Sequence, residues 1–104
     1  ALNRAGLARA GMVDANHLLY TSKANQLYRL TDAEVAGIKA KILFVPASSD
    51  VIFPPELSVR ALERFRAQGG RGELFTLQGD GGHLDGLLEI GQASDAIRNF
   101  IESE

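Results

Sequence analysis

Apolar positions along this chain change rhythm from one segment to the next, and the rhythm predicts the elements. From Asp14 to Leu30 there is no Gly or Pro, and Tyr20, Ala24, Leu27 and Tyr28 recur at i, i+4, i+7 and i+8. That spacing gathers them on one face of a helix opened by Asp14 as N-cap, a stripe expected to pack as core against a lid or a sheet. Thr31-Asp32-Ala33-Glu34 has the Thr and Glu of a capping box, so a second short helix is expected, ended by Gly37. Residues 1–13, rich in Ala, Gly and Arg, show no period and read as a loose lead-in or a frayed helix.

The rhythm then shifts. Ile42-Leu43-Phe44-Val45 is unbroken apolar sequence ended by Pro46, and Leu74-Phe75-Thr76-Leu77 is a second short run. These predict strands near 42–46 and 73–77, buried on both faces as parallel strands usually are. Between them, Pro54-Pro55 opens a helix with Leu57, Ala61, Leu62 and Phe65 inward, closed by Gly69-Gly70. A Gly-rich turn at residues 79–82 follows. Gly91 then divides the remainder into a short turn and a terminal helix lined by Ala93, Ile97, Phe100 and Ile101. The order is a leading helix followed by β-α-β-α, an α/β class with parallel strands.

Two parallel strands and about three helices leave strand edges and faces uncovered, which suits part of a larger α/β domain. The missing neighbours are expected from the remainder of such a domain or from self-association through strand edges. Ala1 in place of Met agrees with a processed or incomplete N-terminus. The 104 residues suffice for one small domain, 1–104. A net charge of −2 offers no field for phosphate backbones, so nucleic acid is not an expected partner. Without cysteine there are no disulfides or thiolate chemistry, which fits a cytoplasmic setting. No run reaches the roughly 20 apolar residues that cross a bilayer.

Chemistry concentrates after the strands. Asp50 lies four residues beyond Pro46, and His83 follows the Gly-rich turn. Functional groups of parallel sheets gather at the carboxyl ends of the strands, and neighbouring strands lie only about 4.8 Å apart. An Asp from one loop can therefore meet a His from the next, accept its Nδ1 proton and hold its tautomer for acid–base work. Asp before His is the chain order of the α/β-hydrolase triad. More ordinary roles exist: Asp50 could cap the helix near Pro54, and His83 could be a solvated loop residue. The glycines lack the Lys-Ser/Thr of a phosphate loop and are better explained by turn geometry. His83 with Asp80 and Asp85 makes a weak metal set, and no metal or other cofactor is called for. His17 is given no role.

Asp14-Ala15-Asn16 and its tyrosine-bearing helix, Ser49-Asp50-Val51-Ile52-Phe53-Pro54-Pro55, and Gly82-His83 together resemble the C-terminal part of homoserine O-acetyltransferases, from about residue 14 onward. In that family the His is usually followed directly by Asp; here Leu84 stands before Asp85. The resemblance implies an α/β-hydrolase-fold acyltransferase of methionine biosynthesis, with Asp50 as triad acid and His83 as general base. It implies acyl-CoA and a small hydroxyl substrate, homoserine, as partners of the complete enzyme. The nucleophile is not supplied: Ser22, Ser48, Ser49, Ser58, Ser94 and Ser103 all lack the flanking glycines of a Gly-x-Ser-x-Gly elbow. The chain alone is therefore expected to be inactive. An ester hydrolase using the same triad, and a non-catalytic module that oligomerises through strand edges, are the alternatives.

Overall fold

The computed structural model describes residues 2–103. Contacts divide the chain into two compact units, Ala1–Leu30 and Thr31–Glu104. The first holds α1 (Leu2–Ala10) and α2 (Ala15–Leu27). Much of the predicted lead-in is thus helical. Asp14 caps α2 as expected, its carboxylate accepting the Asn16 N–H at 2.9 Å. The predicted core stripe is corrected: Tyr20, Leu27 and Tyr28 are all exposed, and α2 buries no residue. A period of 3.6 states which residues share a face, not that anything covers it.

The second unit opens with α3 (Asp32–Ala36) under the predicted capping box. Thr31 Oγ1 accepts the Glu34 N–H at 3.2 Å, and Glu34 Oε2 accepts the Thr31 N–H at 2.7 Å. β1 (Ile42–Phe44) runs parallel to β2 (Gly72–Leu74), with Ile42 opposite Gly72 and Phe44 opposite Leu74. The pairing persists beyond the strands proper. Phe75 N–H donates to Phe44 O, Leu77 N–H to Pro46 O and Ser48 N–H to Leu77 O, all within 2.9 Å. Pro46 has no N–H to contribute, so the ladder is interrupted there and resumes as a bridge between Ala47 and Leu77. The strands are half-buried rather than covered on both faces.

α4 (Pro55–Ala67) connects the strands, and Pro at its first position needs no hydrogen-bond partner. Leu62 and Phe65 are its buried side chains; Leu57 and Ala61, expected beside them, are exposed. Gly69, at φ +82°, ends this helix in a conformation that L side chains rarely adopt. After β2 the chain makes a 3₁₀ turn (Gly82–Leu84), a single helical turn α5 (Asp85–Leu88), a second 3₁₀ turn (Ile90–Ala93) and α6 (Ser94–Glu102). Ile97 and Phe100 of α6 are half-buried, whereas Ile101, expected on the same side, faces solvent. Lys41 holds the C-terminal end of α6, donating to the carbonyls of Phe100 and Ser103, a favourable place for a cation at a helix C-terminus.

Apart from the buried Val35, Leu62 and Phe65, a core cluster lies at the carboxyl ends of the strands. Ala47, Leu77 and Ala93 are buried together, and Val45, Phe75 and Ile97 pack against them. This cluster is the floor from which the loops carrying Asp50 and His83 depart.

Candidate active site

Asp50 and His83 meet. His83 Nδ1 lies 2.8 Å from Asp50 Oδ2. The other carboxylate oxygen, Oδ1, accepts the backbone N–H groups of Ile52 at 2.8 Å and Phe53 at 3.0 Å. The Asp thus ties its own loop into an Asx-type turn with one oxygen and presents the second to the imidazole. It does not cap the following helix: α4 begins at Pro55, and Pro54 before it receives no side-chain cap.

Electrostatics assign the protons. The hydrogen bond from His83, then that from the Phe53 N–H, hold the Asp50 carboxyl below its ordinary value, outweighing the opposing effect of desolvation. Asp50 is therefore an ionised acceptor near neutral pH. A carboxylate cannot donate, so Nδ1 carries the proton of the shared hydrogen bond, which leaves Nε2 as the nitrogen that can take up another. Asp50 is only 8% exposed, whereas the His83 side chain is 52% exposed. The acid is sheltered and the base reaches outward. Phe53 leans on the imidazole with ring centres 5.4 Å apart. The pair borders a depression of about 250 Å³, walled by Val45, Pro46, Ala47, Phe53, Ser58 and Gly86.

A residue without an assigned role in the sequence reading is built into the same loops. Asp85 is 3% exposed, and its Oδ2 accepts from Ser49 Oγ at 2.9 Å and from Gly81 N–H at 3.1 Å. It explains the glycines better than turn geometry does. Only Gly82, at φ +65°, needs the left-handed region. A Cβ on Gly79 or Gly81 would lie 2.5 Å from an Asp85 carboxyl oxygen, so those glycines make room for a buried carboxyl. The available signal was an Asp two residues after the His, preceded by small residues. Among the described residues no group of three His, Cys, Asp or Glu could hold a metal ion. Nor is any described helix long and apolar enough to cross a membrane. A second depression of about 220 Å³ lies at the opposite strand ends beside Lys41, Arg66 and Arg71, with no acid–imidazole pair.

No family model matches the chain. Among solved structures, esterase E22 is 39% identical over 91% of this chain and 27% of its own, with a TM-score of 0.74. The homoserine O-acetyltransferase of Bacillus anthracis superposes on 98% of this chain and 29% of its own, with a TM-score of 0.72 at 20% identity. The fold is that of an α/β-hydrolase-type protein, of which this chain forms a βαβα portion with preceding helices. Within that class its sequence is related to the homoserine O-acetyltransferases. That of Symbiobacterium thermophilum is 34% identical over 95 residues, 86% of this chain, and that of Methanosarcina acetivorans 32% over 93 residues, 85% of this chain. The chain spans 25% and 17% of the lengths of these two relatives.

Proposed function

We propose that the chain supplies the acid and the base of a Ser-His-Asp acyl-transfer centre, completed by a serine from the remainder of an α/β-hydrolase-type domain. The observation that carries this reading is the 2.8 Å contact between His83 Nδ1 and Asp50 Oδ2, formed where two parallel strands release their loops. With Nδ1 committed to Asp50, Nε2 is the free base. It takes the serine hydroxyl proton as the serine oxygen attacks the acetyl-CoA carbonyl, and returns that proton to the departing CoA thiolate. It then deprotonates the homoserine hydroxyl as that oxygen attacks the acetyl-serine, and hands the proton to the released serine. Asp50 stabilises the imidazolium formed in both halves. Similarity to acetyltransferases supports CoA as donor, homoserine as acceptor and a place in methionine biosynthesis.

Two observations favour water as acceptor instead. Esterase E22 is more similar in sequence than the superposed acetyltransferase structure, and Leu84 stands beside the base where the acetyltransferases usually have Asp. A carboxylate there could meet the ammonium group of homoserine; an exposed leucine cannot.

The test joins this chain to a nucleophile-bearing remainder of the fold. Asp50→Asn and His83→Ala are each expected to lower turnover by roughly 10⁴-fold, as loss of a triad member does. Turnover near that of the parent in either variant refutes the roles. Supplying acetyl-CoA with and without homoserine then separates O-acetylhomoserine formation from hydrolysis to acetate.

A further inference from the structure

The residues immediately before Asp50 and His83 are bonded to each other. Gly82 N–H donates to Ser49 Oγ at 2.9 Å, and Ser49 Oγ donates to Asp85 Oδ2 at 2.9 Å. The same carboxyl oxygen receives the Gly81 N–H at 3.1 Å. This closes a ring from one loop to the other and back, with a buried carboxyl at its centre. We propose that Ser49 and Asp85 form a clamp that sets the Asp50–His83 hydrogen bond, and that both are positioning residues for the chemistry. This rests on the proposed role of the pair and adds what holds it in register.

Asp50 is fixed within its own loop by the N–H groups of Ile52 and Phe53, which say nothing about where the imidazole lies. The relative placement of acid and base depends on ties between the loops. Among the described residues, and besides the acid–imidazole bond and the Phe53–His83 ring contact, these are the Ser48 N–H to Leu77 O bond at the strand ends, the Ser49 bridge, and contacts of 3.3 and 3.4 Å between Ser48 Oγ and the Gly79 backbone. Of these hydrogen bonds, the Ser49 bridge is the one that acts one residue from each member of the pair. Its direction is determined: the hydroxyl accepts from Gly82 N–H, so its single proton points to Asp85. Gly79 and Gly81 leave the space the carboxyl fills. Displacement of about 1 Å between reacting groups can cost a hundredfold in rate, so a clamp of this kind has a catalytic consequence without touching substrate.

The experiment uses the 104-residue chain, the rings of its two histidines labelled with ¹⁵N, and reads the His83 tautomer ratio and the exchange protection of its Nδ1 proton by NMR. The parent is expected to hold mainly the Nδ1–H form. Asp50→Ala should abolish the preference. Ser49→Ala and Asp85→Asn should each lower the Nδ1–H to Nε2–H ratio roughly fivefold, the equilibrium worth of one ordinary hydrogen bond. Ser49→Thr, which restores the hydroxyl, should restore the ratio. A parent without the Nδ1–H preference overturns both the acid–base reading and the clamp. A preference lost in Asp50→Ala yet undiminished in Ser49→Ala and Asp85→Asn overturns the clamp alone. A drop in Ser49→Ala that Ser49→Thr does not repair assigns the effect to packing and likewise overturns it. Should Asp85→Asn fail to fold, the two Ser49 variants decide.

Discussion

Leu77 tests whether the small core beneath the site is what holds this unit together. It is fully buried, bridges to Ala47 and packs with Ala93 at the strand ends. Leu77→Ala deletes three buried carbons, which at about 0.8 kcal/mol each is about 2.4 kcal/mol of lost burial. The neighbours at 47 and 93 are already alanines and have no longer side chain to swing inward. A cavity therefore remains and brings the expected cost to about 3 kcal/mol, inside the usual 2–5 kcal/mol for such truncations. Urea unfolding followed by far-ultraviolet circular dichroism reads this directly. With a slope of about 1.5 kcal/mol per molar, the midpoint should fall by about 2 M. Ile101→Ala, at a solvent-facing position, is the control and should stay within about 0.5 kcal/mol of the parent. Equal midpoints for the two variants would refute the claim that the strand-end cluster is the core.

Three further outcomes follow from the geometry. Gly81→Ala places a Cβ 2.5 Å from an Asp85 oxygen and should destabilise by about 1–3 kcal/mol by parting that buried carboxyl from its donors; parent-like unfolding would show that the carboxyl is not held there. Thr31→Ala removes the capping-box hydroxyl and should cost about 1 kcal/mol, measured by the same urea titration; no change would mean the cap is already frayed in solution. For pH, the folded-state value of Asp50 lies below its ordinary 3.8, so between the two values the unfolded chain binds more protons. The resulting stability is present above that ordinary value and is lost as pH falls through the folded one. Asp50→Asn should therefore flatten the acid limb of stability below about pH 4, and an unchanged limb would contradict the lowered value.

The sequence alone was sufficient for whatever is written in neighbouring residues. The Asp14 cap, the Thr31–Glu34 capping box, the helix opening at Pro55, its closure at the paired glycines and the division at Gly91 are short-range features whose chemistry lies within a few residues. The α/β class and the pairing of Asp50 with His83 were also legible, because strands in one parallel sheet must release their loops at one edge. The tertiary structure decided everything that depends on what covers what. Periodicity placed Tyr20, Leu27 and Tyr28 on one face but could not say that the face is open to solvent. It likewise grouped Leu57 and Ala61 with Leu62 and Phe65, although only the latter two are buried. Asp85 shows the difference best. In sequence it is one more loop acid after a His; in space it is a buried carboxyl around which two glycines and a serine are arranged, because burial and hydrogen bonding across loops are properties of packing and have no local pattern.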